Sequence, residues 1–400
     1  MLETQEYLKK IECLRREFTG RTAAARSYWK DIDQLELNSM EFASANLRHL
    51  LPNIPIEDHA GIIDDIFFNR DCSDLDEDSF FLLKNTTISD RSSMLVAAKE
   101  KPVIFCTFHI GSYRLINHVL ISRNLNYILP VEGKIYATQT ARFMENFVGC
   151  QTYFNSDSQF MTVNAEEPTA ALTMVRKARA RWSLLAYIDG NTGVQGAGRR
   201  DIKMLRVPLL DRMIYARKGI AFLSHFLKLP IVPVLCEITG PMQRKITFHE
   251  QIEPSASAED REAYCQMATE KLYSVLGEYL KKSPSQWLGW MELQKYLDMD
   301  GLGDNETVDE HDDGTVSDFD GIVGNRLVFN HDRYGFIIQD DQRALLDKST
   351  YKLLSLPENV SNLLESYRQP IEVSSVGVSD EQRDMIEQLV SMDMLSVVGQ

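Results

Sequence analysis

Four titratable residues stand just behind short apolar runs of strand length: His109 after Val103 to Phe108, Glu132 after Tyr127 to Val131, Asp189 after Leu184 to Ile188, and Glu237 after Ile231 to Cys236. Ligands of an open α/β sheet gather outside the carboxyl ends of its strands, which makes these four candidates for one rim. The clearest is His109. Gly111 and Ser112 give a tight turn into a helical stretch, leaving the imidazole at the mouth of the sheet, where it can take a proton from an incoming hydroxyl or amine. A histidine merely satisfied at a strand end is the competing reading. Cys106 reads as a buried strand thiol rather than a nucleophile. His118, nine residues after His109, falls half a turn out of phase on a helix, and His225 is expected to pack on the sheet.

The runs that carry these residues alternate with helical stretches, which predicts an α/β fold with a mostly parallel central sheet and flanking helices. Asn164, with Glu167 three residues on and Pro168 beside it, reads as a capping-box-like helix start, and Arg176, Lys177, Arg179 and Arg181 suit the negative end of that helix's dipole. From Asp300 to Asp320 there are nine acidic residues and no Lys or Arg, a composition that reads as a self-repelling linker. The expected organisation is one domain over 1–298 with a helical N-terminal region, a linker over 299–322, and a small α+β domain over 323–400. The last of these has strand-like runs at Arg326 to Phe329, Tyr334 to Ile338 and Arg343 to Leu346, then two helices, the second opening at Ser379 with Gln382 three residues later.

The chain carries a formal charge of −15, yet residues 176–228 hold twelve basic and three acidic side chains. Within that block Arg199, Arg200, Lys203, Arg206, Arg212, Arg217 and Lys218 follow a glycine-rich loop, a pattern that suits an anionic ligand or an acidic protein partner as well as a solvated face. Nucleic acid is excluded as a partner, because the block is short, poor in aromatics and set in an acidic whole. No apolar stretch approaches the ~18 residues of a membrane span, and the charged N-terminus has no apolar signal region, so a cytoplasmic location without a transmembrane span is expected. Six scattered cysteines with no Cys-x-x-Cys pair point to reduced thiols rather than disulfides or structural zinc.

Phe108 to Leu115, with His109, Gly111 and Ser112, resembles the His-x-Gly-Asn-Trp-Glu-Leu signature of the lipid A secondary acyltransferases, within the lysophospholipid acyltransferase-like superfamily. Asn46, Leu47 and Pro52 with the helix around Ile62 to Asn69, Tyr187 to Gly190, Pro208 to Val234, and Pro284 to Trp287 resemble further motifs of that family in the same order. The resemblance covers about residues 45–297 and implies a His-dependent acyltransferase with no resident cofactor. The acyl-carrier-protein or coenzyme A thioester would be its donor substrate.

The family places a carboxylate five positions after its histidine, and here that position is Arg114. A guanidinium cannot stabilise an imidazolium, so a substitute carboxylate is expected from Asp189 or Glu132; in the alternative, Asp189 neutralises Arg114. The family's N-terminal membrane helix has no counterpart in this sequence, and Trp287 to Glu292 replace its aromatic-His-Arg-Arg ending. The expected acceptor moves away from lipid A, to a hydroxyl or amine of a peptide, natural product or other lipid, with peripheral membrane contact still open. The loop from Gly190 through Asn191 to Arg200 lacks the pattern of a phosphate-binding P-loop. It would instead let the thioester arm pass close to the backbone, with Arg199, Arg200 or Lys203 on the phosphate of phosphopantetheine and Arg114 also lining the site. Backbone amides near Gly111 or in the 190–198 loop would bind the oxyanion.

The segment from about Asn325 to Val398 resembles the peptide-binding winged helix of pyrroloquinoline quinone biosynthesis, which implies capture of a peptide as an added strand. The alternative for the whole chain is a catalytically inactive acyltransferase-like scaffold that binds a peptide through this C-terminal domain.

Overall fold

Ile104, Phe105, Cys106 and Thr107 are all buried, and they form an interior strand of a seven-stranded sheet. The computed structural model describes residues 2–27, 33–189, 204–254, 260–300, 319–339 and 342–398. In chain order the first strands are β1 (Thr86–Asp90), β2 (Ile104–Thr107), β3 (Tyr127–Val131), β4 (Phe160–Asn164), β5 (Ser183–Tyr187), β6 (Met204–Leu209), β7 (Arg212–Arg217), β8 (Ile231–Ile238) and β9 (Arg244–Phe248). The large sheet runs β1-β9-β8-β2-β5-β3-β4, parallel throughout except between β8 and β9, while β6 and β7 form a separate antiparallel hairpin. The expected mostly parallel sheet is therefore present. Helix Leu115–Ser122 lays Leu115, Ile116, Val119 and Leu120 into the same core as Phe105, Leu185 and Val232. Each such side chain, fully buried, stabilises by about 1.5–3 kcal/mol.

The capping-box reading at Asn164 is corrected. Asn164 ends β4, its Oδ1 accepts from the Glu166 amide at 3.0 Å, and the helix starts only at Ala170 and stops at Arg179, leaving Arg181 beyond it in a left-handed conformation. The same side-chain oxygen that can cap a helix can close a turn, and here the strand is what precedes it.

Two compact units divide the chain: Met1–Thr19 with Asp64–Asp298, and Gly20–Ile63 with Met299–Gln400. The sheet just described belongs to the first. The second holds β10 (Arg326–Phe329), β11 (Tyr334–Gln339), β12 (Gln342–Asp347), β13 (Leu353–Leu354), β14 (Ile371–Glu372) and β15 (Leu395–Val398), arranged as the antiparallel sheets β14-β10-β15 and β11-β12-β13. Leu327, Phe329, Leu345, Leu364, Ile386 and Leu389 share its core. Ser379 and Gln382 make the anticipated reciprocal cap on helix Asp380–Ser391.

Residues 20–63 thus fall outside the sheet unit, unlike a division drawn at 298. In helix Gln34–Leu50, Asn38 offers its side-chain amide to both backbone groups of Ile338, donating to the carbonyl at 2.6 Å and accepting from the N–H at 2.8 Å. Buried Glu41 meets buried Lys348 at 2.5 Å, and Asn46 accepts from the Tyr351 hydroxyl at 2.8 Å.

Candidate active site

β5 lies beside β2 in parallel register, with Thr107 opposite Tyr187. Two residues past that pair on each strand come His109 and Asp189, so simple continuation of the register brings them together. Asp189 accepts from the His109 backbone N–H at 2.9 Å and lies 2.8 Å from His109 Nδ1, one carboxylate oxygen for each. Its second oxygen also accepts from the indole N–H of Trp287 at 2.7 Å. The Asp189 side chain is 3% exposed and the His109 side chain 29%. With Nδ1 donating to the carboxylate, Nε2 carries the lone pair of the neutral ring, and the rings of Tyr113 and Tyr187 flank it with centroids at 4.7 and 5.1 Å.

The electrostatics follow from these contacts. Burial alone would raise the Asp189 carboxyl, but the imidazole of His109, the indole of Trp287 and the His109 amide outweigh it and hold the group below the ordinary carboxylate range. Burial pushes the Tyr113 hydroxyl up to about 12 and that of Tyr187 well above its usual value, so both phenols stay protonated.

The turn after His109 is held from three sides. Gly111 has φ +50°, and a Cβ there would meet the Cys236 carbonyl at 2.5 Å and Gln286 Oε1 at 2.7 Å, so only glycine fits. Its N–H donates to the Gln286 carbonyl at 2.8 Å, and the Leu288 N–H donates to the His109 carbonyl at 3.0 Å. Gln286 in turn uses its side chain on both backbone groups of Ile238, at 2.8 and 2.9 Å, while Asn69 donates to the Ser285 carbonyl at 2.9 Å. The third anchor is Ser112, fully buried, whose hydroxyl donates to Asp76. Asp76 also accepts from Tyr7 at 2.6 Å and from two nitrogens of buried Arg244, at 2.6 and 3.0 Å.

Several expectations change against this geometry. Of the two substitute carboxylates, Asp189 is the one bonded to His109. Glu132 stands at the N-cap position of helix Gly133–Phe154, without a side-chain capping bond, after β3, which is separated from β2 by β5. Arg114 is neutralised by Asp74, with Glu77 3.5 Å away, and not by Asp189. The Gly111 amide is already donated to Gln286 and is not a spare oxyanion donor, and Ser112 is spent on Asp76 instead of facing substrate. Glu237 pairs with Lys245 at 3.0 Å. Gly190, Asn191, Arg199, Arg200 and Lys203 lie outside the described residues. Arg206 pairs with Asp298 and Lys218 with Glu262, both at 2.6 Å. His118 is buried against Phe80 and the Glu77 carbonyl, His225 lies against Tyr264, and Cys106 is a fully buried thiol that burial pushes up.

Trp287 and Gln286, well beyond the strand ends, were not among the expected site residues. Their signal was present in the Pro-Ser-Gln-Trp stretch, but nothing in its spacing says that it returns to His109. No protein-family model and no curated protein sequence matches the chain. No helix among the described residues is long and apolar enough to cross a membrane.

Proposed function

We propose that the sheet unit is an acyltransferase that moves a fatty acyl group from an acyl-carrier-protein or coenzyme A thioester to a hydroxyl or amine of a peptide, natural-product or lipid acceptor. The observation that carries this reading is the partly exposed imidazole of His109, backed through Nδ1 by a buried carboxylate that accepts three hydrogen bonds. His109 Nε2 takes the acceptor's proton as the oxygen or nitrogen attacks the thioester carbonyl, and Asp189 stabilises the imidazolium. The tetrahedral intermediate then expels the thiolate, which recovers the proton from His109. Arg114, tied to Asp74 and Glu77, neither replaces nor opposes the carboxylate, which removes the main ground for an inactive scaffold.

In the same reading the C-terminal part of the second unit is a winged-helix-like module that holds a peptide or peptidyl acceptor. The antiparallel sheet β14-β10-β15 supports it, with Ile371 and Val397 partly exposed on its two outer strands. Intact-mass analysis of candidate acceptors incubated with acyl thioester and the full chain tests the whole. A mass gain equal to the acyl group, lost in His109→Ala, is expected; thioester turnover unchanged by that substitution would overturn the mechanism.

A further inference from the structure

The carboxylate of Asp189 is not oriented by His109 alone. Trp287, 2% exposed, reaches it from a part of the chain 98 positions away, and its indole N–H has Asp189 Oδ2 as its partner at 2.7 Å. The backbone on either side of Trp287 is zipped to the histidine turn, Gly111 N–H to the Gln286 carbonyl and Leu288 N–H to the His109 carbonyl, with Ile110 and Trp287 as the bridged pair. Trp290 stacks edge-on against Trp287 with centroids 5.1 Å apart, and Gly289 leaves room where a Cβ would meet the indole at 2.2 Å. One short segment, Gln286 to Leu288, therefore grips the base through the backbone and its carboxylate through a side chain.

We propose that Trp287 is a positioning residue of the His109–Asp189 pair, sharing the carboxylate with Nδ1 and so setting how strongly Asp189 holds the ring, while Nε2 is left to work on the substrate. The inference rests on the acyltransfer reading for the base's role, but not for the geometry. An N–H donated to a carboxylate lowers that group's hunger for a proton. Removing the donor raises the proton affinity of the coupled pair, whereas a loosening of the segment breaks the Nδ1 contact and lowers it. The two causes have opposite signs. Other ionisable groups that face the pair are the phenols of Tyr113, Tyr187, Tyr273 and Tyr296, whose hydroxyls burial keeps protonated, with Glu132 acting on Tyr296 alongside Asp189.

The test is a titration of the His109 ring by nitrogen NMR in full-length protein and in Trp287→Phe. We expect the midpoint in the variant to rise by about one pH unit, the scale of a single hydrogen bond to a charged group, and the acid limb of thioester cleavage to rise with it. An unmoved or lowered midpoint overturns the proposal. Should Trp287→Phe not fold, the unaltered protein decides: the Trp287 indole resonance follows the His109 midpoint if the proposal holds, and a flat indole resonance overturns it. Because neither reading needs a substrate, a raised midpoint in a protein that transfers no acyl group would leave the positioning role standing and remove only the proposed reaction.

Discussion

Two buried aspartates of the sheet unit solve the same problem to different ends. Asp76 accepts from Tyr7, Ser112 and two nitrogens of Arg244, and every partner is itself buried, so the charge is neutralised inside a closed set. Asp189 accepts three hydrogen bonds to the four of Asp76, and one of its partners is an imidazole that is 29% exposed. A closed set can only hold the chain together, while an open one passes its charge to a group that meets solvent. Because Ser112 stands three residues after His109, the closed set anchors the turn that the open set uses.

Breaking the closed set should have the largest effect. Arg244→Ala leaves Asp76 buried without its cation and is expected to cost about 3–5 kcal/mol of unfolding free energy, read by denaturant titration. Activity lost in that variant should follow the folded fraction. Breaking the open set at its surface end reverses the pattern: His109→Ala should fold, yet lower acyl transfer about a hundredfold or more, measured as initial rate with saturating thioester.

Which carboxylate completes the pair was only half legible in the sequence, and the reason is strand order. Both Asp189 and Glu132 follow apolar runs, but β5 lies next to β2 and β3 one place further, a fact that no run of residues announces. The buried strands β2, β3, β5 and β8 are unmistakable because both faces are apolar. By contrast β1 (Thr-Thr-Ile-Ser-Asp), β4 and β9 carry polar side chains on the flanks of the sheet, so no continuous apolar run marks them. Trp287 is hidden for another reason: it stands between two short 3-10 turns, Pro284–Gln286 and Leu288–Met291, whose shape is set by tertiary contacts rather than by periodicity.

Arg114 sharpens the comparison from outside both sets. Were it a vacated carboxylate position, Arg114→Glu would raise activity; with Asp74 and Glu77 as its partners, the new carboxylate instead faces two others. We expect a loss of about 1–2 kcal/mol in stability and no gain in rate per folded molecule, checked by thermal melts beside the transfer assay. The smallest effect is the pH dependence of Asp189. Its folded value lies below the ordinary 3.8, so its ionised form adds stability above about pH 4, and that increment is lost as the pH falls through the lowered folded value. Unfolding free energy measured from pH 5 downward should decline less steeply in Asp189→Asn than in the unaltered chain.

In the second unit, the amide of Asn38 has a meaning beyond local satisfaction. Ile338 sits on the outer edge of β11, where an unpaired N–H and C=O would invite any extended chain, including another copy of the same strand. Asn38 closes that position the way a plug closes a socket. An incoming strand gains no hydrogen bond at Ile338 until it has broken two, which makes this edge a poor template for self-association.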